Sequence, residues 1–339
     1  MTTGVPAPAQ PANWLESGRI LGGKFRIQRR LGAGGMGVVV AATHVFLKKQ
    51  VALKVLTDAA AAHPDAKARF LREARAAANI ENEHVARVMD VGTFEDGSPY
   101  ILMEFLEGKD LLTLLTDGGP LPIQLAIDYV LQACEAIAEA HLRGIVHRDI
   151  KPANLFLAQR TDESTCIKVL DFGISKLTPT NVIGIETLPV ETGIAWGSPQ
   201  YMSPEQIRAS ADMDGRTDVW SLGVTLFQLL TRRLPFHGIN VQQISAAVLE
   251  QPFPSVCAYR AEVPVALDRI LQKCCAKNPA HRWANIAEFA GAVAFLASNA
   301  GLASVERIAA IQRKTLPPLM TVAPTTPPLR QRSYALKAV

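Results

Sequence analysis

The chain has 339 residues, 48% of them hydrophobic and 19% charged, which supplies enough apolar material for a core and excludes a disordered or collagen-like chain. The formal charge of +4 is too small to make nucleic acid the main partner. Most of that charge sits at the end: between Val305 and Val339 lie Arg307, Arg313, Lys314, Arg330, Arg332 and Lys337 against Glu306, so the body is close to neutral.

Residues 1–18 are rich in Pro and Ala, have no basic start or apolar run, and read as a flexible leader rather than a signal peptide. From Lys24 to about Met103, short β-branched runs such as FRIQRRLG, VVVAATH, QVALKVL and YILMEF predict strands. One Ala-, Arg- and Leu-rich stretch, 64–78, predicts a helix among them. After Gly108 the pattern turns helical, with Leu125, Tyr129, Gln132, Ala136 and Ala140 on one face of a helix that ends near Gly144. Two strand-like runs, NLFLA and CIKVL, follow, and helices dominate from Pro204 to about Ala300. A small strand-rich unit followed by a larger helical one is the expected architecture.

Two apolar segments, 219–230 and 289–305, are too short or too polar for the ~20 apolar residues of a membrane span and are expected to be helices of the domain. The Pro-rich stretch beyond Thr315 reads as a solvated tail. The five cysteines form no CxxC pair, which disfavours zinc or a disulfide framework and fits a reducing, cytoplasmic setting.

Four motifs carry chemistry. Gly32, Gly34 and Gly37 form GxGxxG, a weak signal alone. Here Val38, Val39 and Val40 follow, good strand formers and poor helix starters, so the glycines belong to a hairpin whose bare backbone can approach a phosphate. One strand later, Lys54 in VALKV is either a solvent-facing strand lysine or a cation beside bound phosphates. Glu73, in FLREA, is either its counter-ion or a surface helix residue. The run HRDIKPAN, 147–154, followed by Asp171-Phe172-Gly173, is highly specific. Asp149 can accept or orient a hydroxyl proton, and Asn154 and Asp171 offer the hard oxygens that suit Mg²⁺.

From about Arg19 to Ala300 the chain resembles a protein kinase catalytic domain, specifically the bacterial serine/threonine kinases of eukaryotic type. The resemblance extends to Ser203-Pro204-Glu205, to the run DVWSLG from Asp218, and to Arg282. It implies an α+β, two-lobed protein kinase fold: a small β-rich N-lobe (19–103), a hinge (104–106) and a larger, mainly helical C-lobe (107–300), then a Pro-rich basic tail (301–339).

By position, the resemblance implies that Leu31, Gly32, Gly34 and Gly37 cover ATP and that Lys54 contacts its phosphates and pairs with Glu73. Val39, Ala52 and Phe156 would sandwich adenine, with Met103 as gatekeeper and Glu104 to Leu106 giving backbone hydrogen bonds. Asn154 and Asp171 would hold Mg²⁺, with Mn²⁺ as an alternative ion; Asp149 would orient the substrate hydroxyl and Lys151 contact the transferred phosphate. Glu205 and Arg282 would form a structural ion pair, Asp218 would brace the catalytic loop, and Ser198 would help seat the substrate.

The implied reaction is γ-phosphoryl transfer from MgATP to Ser or Thr of a protein, in bacterial signal transduction. Thr192, or next Thr187, is expected to be autophosphorylated and to dock on Arg148, with transient self-association for the trans reaction. Two rivals are a kinase-shaped scaffold that signals by conformation and a small-molecule phosphotransferase. The complete catalytic set opposes the first, and Lys151, Ser198 and the SPE segment oppose the second.

Overall fold

The computed structural model describes residues 16–34, 37–56, 66–172, 199–210 and 212–315. Gly173, Thr187, Thr192 and Ser198 lie outside them, as do most of the leader and residues 316–339. A first sheet holds β1 (Ile20–Leu21), β2 (Phe25–Gly34), β3 (Gly37–His44), β4 (Lys49–Leu56), β5 (Val88–Thr93) and β6 (Pro99–Glu104). Its strands are antiparallel, in the order β1-β2-β3-β4-β6-β5. Helix α1 (Ala66–Ala78) falls between β4 and β5 in the chain.

Period-two alternation divides this sheet. Val51, Leu53 and Val55 of β4 join Phe25, Ile27, Val38, Val40, Tyr100 and Leu102 in one core. The residues between them belong to the other face, where Phe70 and Ala74 of α1 pack with Leu56 and Ile101. That face carries Lys54, opposite Val39 on β3 and Ile101 on β6, and Ala52, opposite Met103.

The second unit begins with β7 (Gly108–Asp110), α2 (Leu111–Gly118) and α3 (Ile123–Leu142), then β8 (Leu155–Gln159) and β9 (Thr165–Val169), which form a three-stranded sheet in chain order. Helices α4 (Pro204–Ile207), α5 (Arg216–Thr231), α6 (Val241–Glu250), α7 (Val265–Cys274), α8 (Ile286–Val293) and α9 (Asn299–Thr315) complete it. Asp110 caps α2 by accepting from the Thr113 amide at 2.9 Å.

Helix α3 is buried well beyond the single face expected of it: Ala126, Ile127, Val130, Leu131, Ala133, Cys134 and Ile137 are all fully enclosed. α5, α8, α9 and β9 surround it, and its many alanines permit the close approach. The segment 219–230 lies within α5, whose residues from Thr217 to Thr231 are all buried. The segment 289–305 is divided between α8 and α9, and among the described residues no helix is long and apolar enough to cross a membrane. Helix α9 also runs through the expected boundary at 300. Ser304 and Ile308 are buried, and Arg307 binds Glu135 of α3 at 2.5 and 2.8 Å, so the folded body extends to Thr315.

Candidate active site

Lys54 is 7% exposed, so the choice between a solvent-facing and an inward lysine falls on the inward one. Its Nζ lies 2.7 Å from Asp171 Oδ1 and 3.5 Å from Glu73 Oε1. Burial by itself lowers a lysine's pKa; here the charges of Asp171 and Glu73 outweigh it and hold the ammonium above its ordinary value. Glu73 reaches the lysine because it shares the buried face of α1 with Phe70 and Ala74, at helical spacing. The Asp171 side chain is 44% exposed, so the buried ion pair opens onto solvent at its carboxylate end.

The loop after α3 is held from behind by Asp218, fully buried on α5. Its two oxygens accept from the amides of His147 and Arg148, each at 2.8 Å, and Oδ2 lies 2.7 Å from His141 Nε2. Burial alone would raise this carboxyl; the His141 hydrogen bond and nearby positive charge keep it below its usual value. Arg148 takes a left-handed φ of 66° and Asp171 one of 43°, conformations a non-glycine residue keeps only when its surroundings fix it. The Asp218 clamp does this for Arg148.

The loop then presents Asp149, Lys151 and Asn154 together. Asn154 Nδ2 donates to Asp149 Oδ2 and to the Asp149 carbonyl, both at 2.8 Å, and Lys151 Nζ lies 3.1 Å from Asp149 Oδ2. Both amide protons are thereby committed, which leaves the Asn154 oxygen as the donor a cation would use. The Leu170 amide donates to the Asn154 carbonyl at 2.8 Å, and His147 Nε2 lies 3.1 Å from the Leu170 carbonyl. Phe172, buried, packs against the His147 ring with centroids 4.6 Å apart and the planes tilted by 46°. These contacts stitch the Asp171 segment to the Asp149 loop.

At the hairpin, β2 and β3 pair through Gly34 and Gly37, with register shifts between Ile27 and Arg29 and between Arg30 and Gly32 that twist the ribbon. A Cβ at Gly37 would stand 2.3 Å from the Val55 carbonyl oxygen, whereas one at Gly32 would meet no atom. The first glycine serves the sheet; the second leaves the strand open to an approaching group. Leu31 is 39% exposed beside it.

At the hinge, the Glu104 amide donates to the Arg87 carbonyl at 3.0 Å, so this N–H is not free for a purine. The Glu104 carboxylate accepts from the Arg87 amide at 2.8 Å and from Lys168 Nζ at 2.9 Å. Phe156 pairs with Asp110 and with Lys168 in the small sheet, and Leu106 is half-buried in the connection before it.

Glu205 and Arg282 form the expected ion pair, at 2.6 and 2.7 Å, with Thr217 Oγ1 donating to Glu205 at 2.8 Å. Reading the motifs alone misses His141, Thr217 and Gln206, whose Nε2 donates to the Arg148 carbonyl at 2.9 Å. Gln206 was legible by another signal: Ser203 and Gln206 form a capping box at the start of α4, the S-x-x-Q spacing.

Residues 25–292 match the model of the protein kinase domain. The chain is 39% identical over 306 residues to the serine/threonine-protein kinase Pkn1 of Myxococcus xanthus, covering 90% of this chain and 42% of that protein. It is 36% identical over 266 residues to PrkC of Bacillus subtilis, covering 78% of this chain and 39% of that one. The chain thus spans about two-fifths of the length of these curated relatives. The crystal structure of the Mycobacterium tuberculosis PknI kinase domain superposes with a TM-score of 0.65 at 31% identity, over 83% of this chain and 99% of that one. The chain therefore belongs to the protein kinase family, among its bacterial serine/threonine members.

Proposed function

We propose that this chain transfers the γ-phosphoryl group of MgATP to serine and threonine hydroxyls of protein substrates. The observation that carries the reading is that Lys54, Asp171, Asn154 and Asp149, drawn from three separate segments, are linked by short contacts: Lys54 to Asp171, Asn154 to Asp149, and the Asn154 carbonyl to the Leu170 amide beside Asp171. Lys54, oriented by Glu73, binds phosphate oxygens, and the bare backbone at Gly32 gives them room. Asp149 orients the attacking hydroxyl and takes its proton, with Lys151 beside it to meet the transferred phosphoryl. Val39, Ala52 and Met103, on the lysine's face of the sheet, contact the adenine ring with Phe156.

The donor set fits a hard divalent ion: the exposed Asp171 carboxylate and the Asn154 amide oxygen are the residues that would hold it. Such an ion, Mg²⁺ or Mn²⁺, would neutralise charge on the phosphates. Ser198 is assigned to the substrate site and Thr192, then Thr187, to autophosphorylation between transiently associated copies. Arg148 supports this: its Nε is buried with no hydrogen-bond partner among the described residues, and a phosphate would supply one. A cytoplasmic setting rests on the cysteine usage, all five being free thiols.

The test is labelling by radioactive ATP, followed by phosphosite mapping. Wild type is expected to label on Ser and Thr. Asp149→Asn should lose roughly 10²–10⁴-fold in rate, and Lys54→Met roughly 10²–10³-fold. Labelling of free sugars or aminoglycosides in preference to a hydroxyl-bearing peptide would overturn the protein-substrate reading.

A further inference from the structure

A cavity of about 580 Å³ lies against residues 104–107, lined in part by Glu83, Phe105, Leu106, Arg160, Cys166 and Lys168. Cys166, on β9, is 2% exposed, and its Sγ lies 3.3 Å from His84 Nδ1. The same Nδ1 lies 2.9 Å from the Ile167 carbonyl oxygen, which can only accept, so Nδ1 carries a proton. Nε2 faces Glu135 Oε1 at 3.5 Å, and that carboxylate is gripped in turn by Arg307. Nε2 makes no hydrogen bond among the described residues, but the acceptor at Nδ1 and the Glu135 carboxylate 3.5 Å from Nε2 together favour the imidazolium. Arg160, paired with Glu83, lines the same cavity as Cys166.

Glu83, His84 and Cys166 could also be read as a metal site, since their ligand atoms lie within 4.8 Å of one another. The proton on Nδ1 blocks ligation through that atom, and the adjacent guanidinium repels a divalent ion. An imidazole N–H against the sulfur, with a guanidinium lining the same cavity, is instead a setting that stabilises a thiolate.

We propose that Cys166 is a modification site, a thiolate that hydrogen peroxide entering this cavity oxidises to a sulfenic acid. The sulfur attacks one peroxide oxygen; the S–O bond forms as the O–O bond breaks, and the sulfur gives up the two electrons that the peroxide gains. The departing hydroxide takes a proton from the His84 imidazolium and leaves as water. Burial would raise the Cys166 thiol, but His84 and Arg160 bring it below its ordinary value. Burial would likewise lower His84, but Cys166 and Glu135 push it up to about 9. Cys134, Cys274 and Cys275 are buried, and burial pushes their thiols up. The site sits close to the cleft: the His84 carbonyl accepts from the Val169 amide at 2.7 Å, two residues before Asp171.

The test treats the native full chain with limiting peroxide at pH 7, then denatures, alkylates, and measures the surviving thiol at each cysteine by peptide mass spectrometry. Exposure alone ranks the half-exposed Cys257 first. The proposal ranks Cys166 first, by at least about tenfold, with recovery on adding dithiothreitol. His84→Gln and Arg160→Gln should each slow Cys166 and leave Cys257 unchanged. Arg160 is partly exposed, so its variant keeps the fold if the His84 variant does not. Oxidation of Cys166 no faster than Cys257, or an unchanged Cys166 rate in Arg160→Gln, would overturn the proposal.

Discussion

The Arg282 guanidinium holds the Glu205 carboxylate through two hydrogen bonds of 2.6 and 2.7 Å, although 77 residues separate them in the chain. Both are buried, at 3% and 8% exposure. Removing one partner strands the other as an unpaired buried charge, so Arg282→Ala should cost about 3–5 kcal/mol in urea unfolding. The paired change Arg282→Met with Glu205→Leu should cost much less than the sum of the single variants, because no charge is left uncompensated.

Asp218 fixes the backbone that carries Asp149. Asp218→Asn puts an amide where two N–H groups and the His141 ring need acceptors, and should destabilise the protein by roughly 1.5–3 kcal/mol. The loop then loses its constraint at Arg148, and kcat should fall by up to roughly 10²-fold with KM for ATP little changed. An unchanged kcat in a folded variant would show that Asp149 is held by other contacts.

Stability should fall on both sides of neutrality. Glu205 is held below 4.5 because the Arg282 hydrogen bonds and charge outweigh burial, which alone would raise it. Glu135 would also be raised by burial, but His84 and Arg307 bring it down to about 2. A depressed folded pKa contributes stability above the unfolded value, so this share is complete above about pH 5 and drains away toward pH 2. His84 has the opposite sign: its pKa rises from 6.5 to about 9, so its share is full below pH 6.5 and lost as pH passes 9. Urea midpoints from pH 3 to 10 should trace both flanks, and His84→Gln should flatten the alkaline one.

Helix α9 belongs to the folded body. Ile308 is 1% exposed, and Ile308→Ala should cost about 2–5 kcal/mol in unfolding free energy. Hydrogen exchange at α9 amides as fast as in an unfolded chain would refute the docked helix.

Much of this was legible in the chain. The strands of the first sheet emerged because alternation of apolar residues is a local pattern, and β4 in particular reads directly from VALKVL. The burial of α3 was not legible, because alanine carries little hydrophobic signal while permitting neighbours on every side. The docking of the helix past residue 300 was not legible for a related reason. The α9 sequence NAGLASVERIAA is weakly apolar, and only its placement against Asp128 and Glu135 shows it to be docked.

Residues adjacent in the chain announced their own chemistry, since the HRDIKPAN run and the glycine hairpin carry their partners within a few positions. Packing alone could decide the rest. Lys54 meets Asp171 across 117 residues, Cys166 meets His84 across 82, and Glu135 meets Arg307 across 172. No local pattern encodes such meetings: they arise when buried faces of distant elements close on one another and leave each charge only the partners that arrive with it.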